Sequence, residues 1–86
     1  MTENQSVQNE TRELSFGEKA VGITFNPSSN PTVEAIKQQY AAIIQFHDHM
    51  RSKAESQGAK RYYSKAISHA EDAQMNAVKA ATWQYE

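Results

Sequence analysis

Two short stretches hold most of the residues able to bind a charged, flat ligand. In "GEKAVGITFNPSSNP", residues 17–31, Lys19 offers a mobile cation and Phe25 a flat apolar face, and Asn26, Ser28, Ser29 and Asn30 offer amides and hydroxyls. Flat stacking with amide hydrogen bonds is how an unstacked nucleobase is held, and a lysine adds attraction for phosphate. The competing structural role is that Phe25 plugs the end of a helical core while "NPSSNP" merely turns the chain. In "QGAKRYYSK", residues 57–65, Lys60 and Arg61 stand at the start of a predicted helix, with Lys65 one turn on from Arg61. Cations there oppose the helix dipole by about 0.3–1 kcal/mol each, whereas free N–H groups at a helix start favour phosphate oxygens. The pair is badly placed for stability and well placed for an anion. The plain alternative pairs Glu55 with Arg61 across the turn. Lys37 and Tyr40, in the helix that follows the leader, complete a candidate ligand-binding set of Lys19, Phe25, Asn26, Ser28, Lys37, Tyr40, Arg61 and Lys65.

Other constellations are weaker. His47 and His49 flank Asp48, but residues two apart on a helix diverge by about 200° and do not share one metal. His69 has no ligand partner at useful spacing. Glu71 and Asp72 are adjacent on the second helix and point apart, with no second carboxylate pair to complement them. Neither a phosphate loop nor a nucleophile motif nor HExxH is present. The expectation is a binding protein without catalysis, metal or cofactor.

Positioning these groups falls to two helices. Asn30-Pro31 opens the first: asparagine is a preferred N-cap, proline suits the first turn, and Glu34 complements the dipole. Val33, Ile36, Tyr40, Ile43, Ile44, His47, Met50 and Ala54 recur at helical spacing, and Gly58 is read as the stop. A second stripe runs through Tyr63, Ala66, Ile67, Ala70, Ala73, Ala77, Val78 and Ala81. A connection this short folds the helices back antiparallel. The predicted fold is all-α, with a flexible polar tail over 1–12 and one domain over 13–86. Within that domain lie an irregular leader or lid (13–30), a first helix (31–57) and a second helix (59–85). Such a hairpin has one mutual face to bury. Phe46, Tyr62, Trp83 and Tyr85 fall off that stripe, and large side chains left over in this way pack against another subunit. A helical homo-oligomer is expected.

Composition narrows the partners. The 86 residues hold 9 Lys+Arg against 10 Asp+Glu, a formal charge of -1. That balance provides no global attraction to DNA or to an anionic membrane, so an anion must be caught by a local cluster. There is no cysteine to form a disulfide or a thiolate site. No apolar run reaches transmembrane length, and the polar start is unlike a signal peptide, which predicts a soluble, intracellular protein.

Three stretches taken in order resemble a known family: "GEKAVGITFNPSSNP" with its Phe25-Asn26-Pro27, Arg61 after Gly58 followed by "SKAISHAED" (64–72), and "AQMNAVKAATW" (73–83). The order is similar to that of phage anti-CBASS cyclic-oligonucleotide sponges, whose helical hairpin is shared with an anti-Thoeris sponge. Asn76 stands where members often carry a tryptophan after the methionine. The resemblance implies a non-enzymatic protein, active in the cytoplasm of an infected bacterium. It would sequester cyclic GMP-AMP and related cyclic dinucleotides intact, and so suppress CBASS signalling. It further implies compact oligomers, commonly hexamers, with ligands at contacts between protomers. Phe25 maps onto the base-stacking aromatic, and Arg61 onto a basic residue near a separate cyclic-trinucleotide site in some members. A different class of reading is a helical adaptor that blocks a host protein through its leftover aromatic face.

Overall fold

A computed structural model describes residues 12–86, and all regular structure among them is helical. The elements are α1 (Phe16–Val21), α2 (Pro31–Lys53) and α3 (Gln57–Ala81). The all-helical expectation holds, with α2 and α3 packed against each other. The leader is not wholly irregular, however. Its first half is α1, and the local signal is a capping box: the Ser15 hydroxyl accepts from the Glu18 amide at 3.1 Å, while the Ser15 amide donates to the Glu18 carboxylate at 2.8 Å. Gly22 ends α1 in the left-handed region at φ 62, returning its N–H to the Lys19 carbonyl.

The helix bounds also shift. α2 opens as predicted, with the Asn30 side chain accepting from the Thr32 and Val33 amides and Pro31 in the first turn. It stops at Lys53, four residues short of the expected end, with Ala54 already extended. Gly58 is therefore not the stop. It lies in the first turn of α3, which starts at Gln57 and is capped by Ser56 accepting from the Ala59 amide at 3.0 Å. Serine's capping hydroxyl outweighs the breaker signal of the glycine. At the far end α3 finishes at Ala81 rather than at 85. The expected polar tail falls outside the described residues except for Arg12, which is tied to Glu18.

The core is small: Val21, Val33, Ala41, Ile44 and Ile67 are its buried apolar side chains. Its stripe on α2 runs through Val33, Lys37, Ala41 and Ile44, so Lys37 and Ala41 turn inward and Ile43 is left exposed. The cause is α1, which lies on α2. Gly17 sits so close to it that a Cβ there would meet the Ala41 carbonyl oxygen at 2.1 Å. Only glycine permits that approach. The Gly17 amide, otherwise orphaned in the first turn of α1, donates to Gln45 Oε1 at 2.9 Å. Arg51 ties the three helices together. It pairs with Asp48 on its own helix at 2.7 Å, donates to the Ser64 hydroxyl on α3 at 2.9 Å, and has its guanidinium 5.5 Å from the ring centre of Phe16 on α1.

Candidate functional site

Lys37 is the centre of the most distinctive site. On α2 it occupies a core position and is only 6% exposed. Its ammonium donates to the Gly22 carbonyl at 2.9 Å and to the Phe25 carbonyl at 2.5 Å, holding the chain between α1 and α2 at both points. The ring of Phe25 lies with its centre 5.5 Å from the same nitrogen, and 71% of that residue faces outward. Burying a cation costs stability unless it is paired. Lys37 nevertheless has no carboxylate within ion-pair distance among the described residues. Two carbonyl dipoles solvate the charge, and the charge itself is not cancelled.

The loop beyond Lys37 is fixed by its own side chains. Asn26 Nδ2 donates to the Asn30 carbonyl at 2.9 Å, and Asn26 Oδ1 accepts from the Asn30 amide at 3.1 Å. Both polar ends of Asn26 are thus engaged in shaping the turn, and Ser29 takes a left-handed φ of 51 within it. Phe25 does not plug the hairpin; the turn holds its ring outward, beside Lys37.

Four of the eight candidate residues, Phe25, Asn26, Ser28 and Lys37, line one cavity of about 260 Å³, closed on the other side by Val33, Val78 and Thr82. Lys19 and Lys37 share a larger one of about 550 Å³ between the end of α1 and α3, where Glu71, Gln74, Met75 and Val78 form the facing wall. Lys37 and Val78 belong to both, so the two cavities adjoin. Lys19 is exposed and pairs with Glu13 at 3.1 Å, a surface pair of small value that an anion readily displaces.

Arg61 and Lys65 meet elsewhere, on the outer face of α3. With Ser64, Ser68 and His69 they line an open cavity of about 570 Å³. No ion pair links Glu55 to Arg61 among the described residues; the Arg61 guanidinium lies 5.5 Å from the ring centre of Tyr62 instead. Tyr40 joins neither group. It is half-buried against Val21, Ala41, Ile44 and Ile67. The candidate set therefore divides into two adjoining cavities around Lys37, one basic face on α3, and a tyrosine in the core margin.

Gln74 stood outside the candidate set, and Glu71 entered only as half of an acidic pair with Asp72. Gln74 is 4% exposed and stands seven residues after Ile67 on the inward stripe of α3, where a polar side chain is out of place. That was the available signal. His47 is half-buried beside Tyr63, with ring centres 6.1 Å apart, and its buried Nδ1 has no partner; His49 is exposed. Among the described residues no three His, Cys, Asp or Glu side chains are grouped as a metal site, and no helix is long and apolar enough to cross a membrane. Comparison with models of protein families, with curated proteins and with solved structures finds no match.

Proposed function

We propose that the chain binds cyclic oligonucleotide second messengers without cleaving them, with the Lys37–Phe25 site as its grip. The observation that carries this reading is a buried ammonium with no acidic partner among the described residues, 5.5 Å from the centre of an outward-facing aromatic ring. An unbalanced buried cation attracts phosphate, and the ring offers a stacking face to the base beside it. Charge-assisted hydrogen bonds to phosphate contribute about 1.5–3 kcal/mol each, and stacking about 1–3 kcal/mol per base. The preformed turn at Asn26 lowers the cost of ordering the site.

A cyclic dinucleotide has two phosphates and two bases, so two copies of the site satisfy it by symmetry. In this reading the protein is a homo-oligomer, a hexamer by its resemblance to the phage sponges. It holds cyclic GMP-AMP or a related ring, lowers the free messenger and so suppresses CBASS signalling in the cytoplasm of an infected bacterium. The Arg61–Lys65 face is the candidate for a cyclic trinucleotide. No residue is assigned a catalytic step.

The test is calorimetry of the full chain against a panel of cyclic di- and trinucleotides, followed by heat release and chromatography of the ligand. Binding of at least one cyclic dinucleotide and its recovery unchanged are expected. Phe25→Ala should abolish dinucleotide binding and leave the oligomer mass unchanged, as read by light scattering. Persistence of binding in that variant overturns the stacking role, and turnover of the ligand overturns sequestration.

A second reading has its own support. Phe46 is 59% exposed and Tyr62 is 64% exposed, which suits a helical adaptor that blocks a host protein. That reading predicts a stoichiometric protein partner in pull-downs and no heat with any cyclic nucleotide.

A further inference from the structure

We propose that the cavity between α1 and α3 selects guanine, with Glu71 and Gln74 reading the base edge. This rests on the nucleotide-binding reading above and adds the base preference: a ring with two guanines matches both copies of the site, whereas cyclic GMP-AMP matches one. The cavity holds about 550 Å³, within the range of small-ligand sites. Val21 and Val78 supply apolar surface, and Lys19 and Lys37 supply positive charge toward a phosphate.

Two polar groups remain on the α3 wall that neither phosphate nor stacking explains. The Gln74 side chain lines this cavity and makes no hydrogen bond with any described residue; its amide stays open to the cavity, since among the described residues the buried side-chain polar atom left without a partner is His47 Nδ1. Glu71 places a carboxylate in a cavity whose other charges are cations, and it forms no ion pair among the described residues. A carboxylate repels phosphate, so it is not there to bind one. Positions 71 and 74 are three apart on α3 and share one face.

Together they present an amide donor beside a carboxylate acceptor. The Watson–Crick edge of guanine presents O6, N1–H and N2–H₂, one acceptor followed by two donors. Gln74 Nε2 donates to O6, and the Glu71 carboxylate accepts from N1–H and N2–H₂. Adenine turns its N1 lone pair toward the carboxylate; the Gln74 amide can rotate to accept from the adenine amino group, so Glu71 carries the discrimination. A carboxylate left facing a lone pair instead of two N–H donors is what discriminates against adenine here.

The experiment is calorimetry of the full chain with two probes, cyclic di-GMP and cyclic di-AMP, which share a ring and two phosphates and differ in the bases. The wild type should prefer the guanine ring by at least about ten-fold. Glu71→Gln, at a half-buried position, should bring the two affinities within about three-fold by weakening the guanine ring. Gln74→Met, which keeps the buried volume, should weaken it about ten-fold, with helicity by circular dichroism unchanged in both variants. Equal affinities in the wild type, or an undiminished guanine preference in Glu71→Gln, overturn the base assignment and leave the nucleotide site standing. Failure of every cyclic nucleotide in the panel to bind overturns the nucleotide reading and this assignment with it.

Discussion

Glu18 organises the start of the leader. It takes both guanidinium nitrogens of Arg12 at 3.0 Å and the Ser15 amide at 2.8 Å, closing the capping box of α1. The Arg12 hydrogen bonds first, and then the backbone bond from Ser15, pull its pKa down from 4.5 to about 2. A carboxyl more acidic in the folded state than in the unfolded one stabilises the fold above its unfolded pKa, and that contribution fades as the pH falls. The seating of α1 should hold at neutral pH and loosen between about pH 4.5 and pH 2. Amide chemical shifts of Ser15 and Gly17 followed through an acid titration will report it, and Glu18→Gln should remove that transition. This pairing was legible in principle, because Ser15 and Glu18 stand at capping-box spacing before a helical turn. Lys37 was legible only in part. Its residue type marked it as a candidate cation on the first helix, but the apolar stripe read there runs through Ile36 and Tyr40 and leaves position 37 out. Its two carbonyl partners, Gly22 and Phe25, depend on where the leader passes, and no spacing rule within α2 encodes that.

At the scale of elements, the contact between α1 and α2 is controlled by Gly17. Gly17→Ala puts a methyl where the Ala41 carbonyl already is, at 2.1 Å, and the displacement needed also pulls the Gly17 amide from Gln45. Overpacking of this kind costs about 1–3 kcal/mol. Urea unfolding should show a lower midpoint, with chemical-shift changes confined to α1 and its footprint on α2. An unchanged midpoint would mean that α1 contributes little to the fold. The hairpin itself could be read from the two apolar stripes and the Asn30-Pro31 start. The turn was harder, because Ser56 and Gly58 send competing signals two residues apart and only the capping bond to Ala59 decides between them. The inward rotation of Ala41 and Lys37 at the expense of Ile43 was hidden for a related reason. It comes from covering α2 with a second element, and hydrophobicity along one helix does not reveal what lies across it.

At the scale of the molecule, only Ile44 among the larger side chains of the described residues is completely buried, while Phe46, Tyr62, Trp83 and Tyr85 are each more than half exposed. A single small core of this kind contributes no more than about 3–5 kcal/mol, which favours assembly. Light scattering should give a multiple of 9.7 kDa, and Phe46→Ser with Tyr62→Ser should lower it. A monodisperse monomer at micromolar concentration would overturn the assembly. The single-chain fold was readable because helical periodicity is local. The two cavities around Lys37 were not, because each is walled by residues from α3 and from the leader, far apart in sequence. Arg51 adds a last property, since it touches Phe16, Asp48 and Ser64 at once. Six residues make too short a helix to persist alone, so α1 is folded only while this three-way clasp and the Gly17 seat are intact. Breaking the clasp, as Arg51→Ala would, should therefore release α1 as a whole rather than fray it turn by turn.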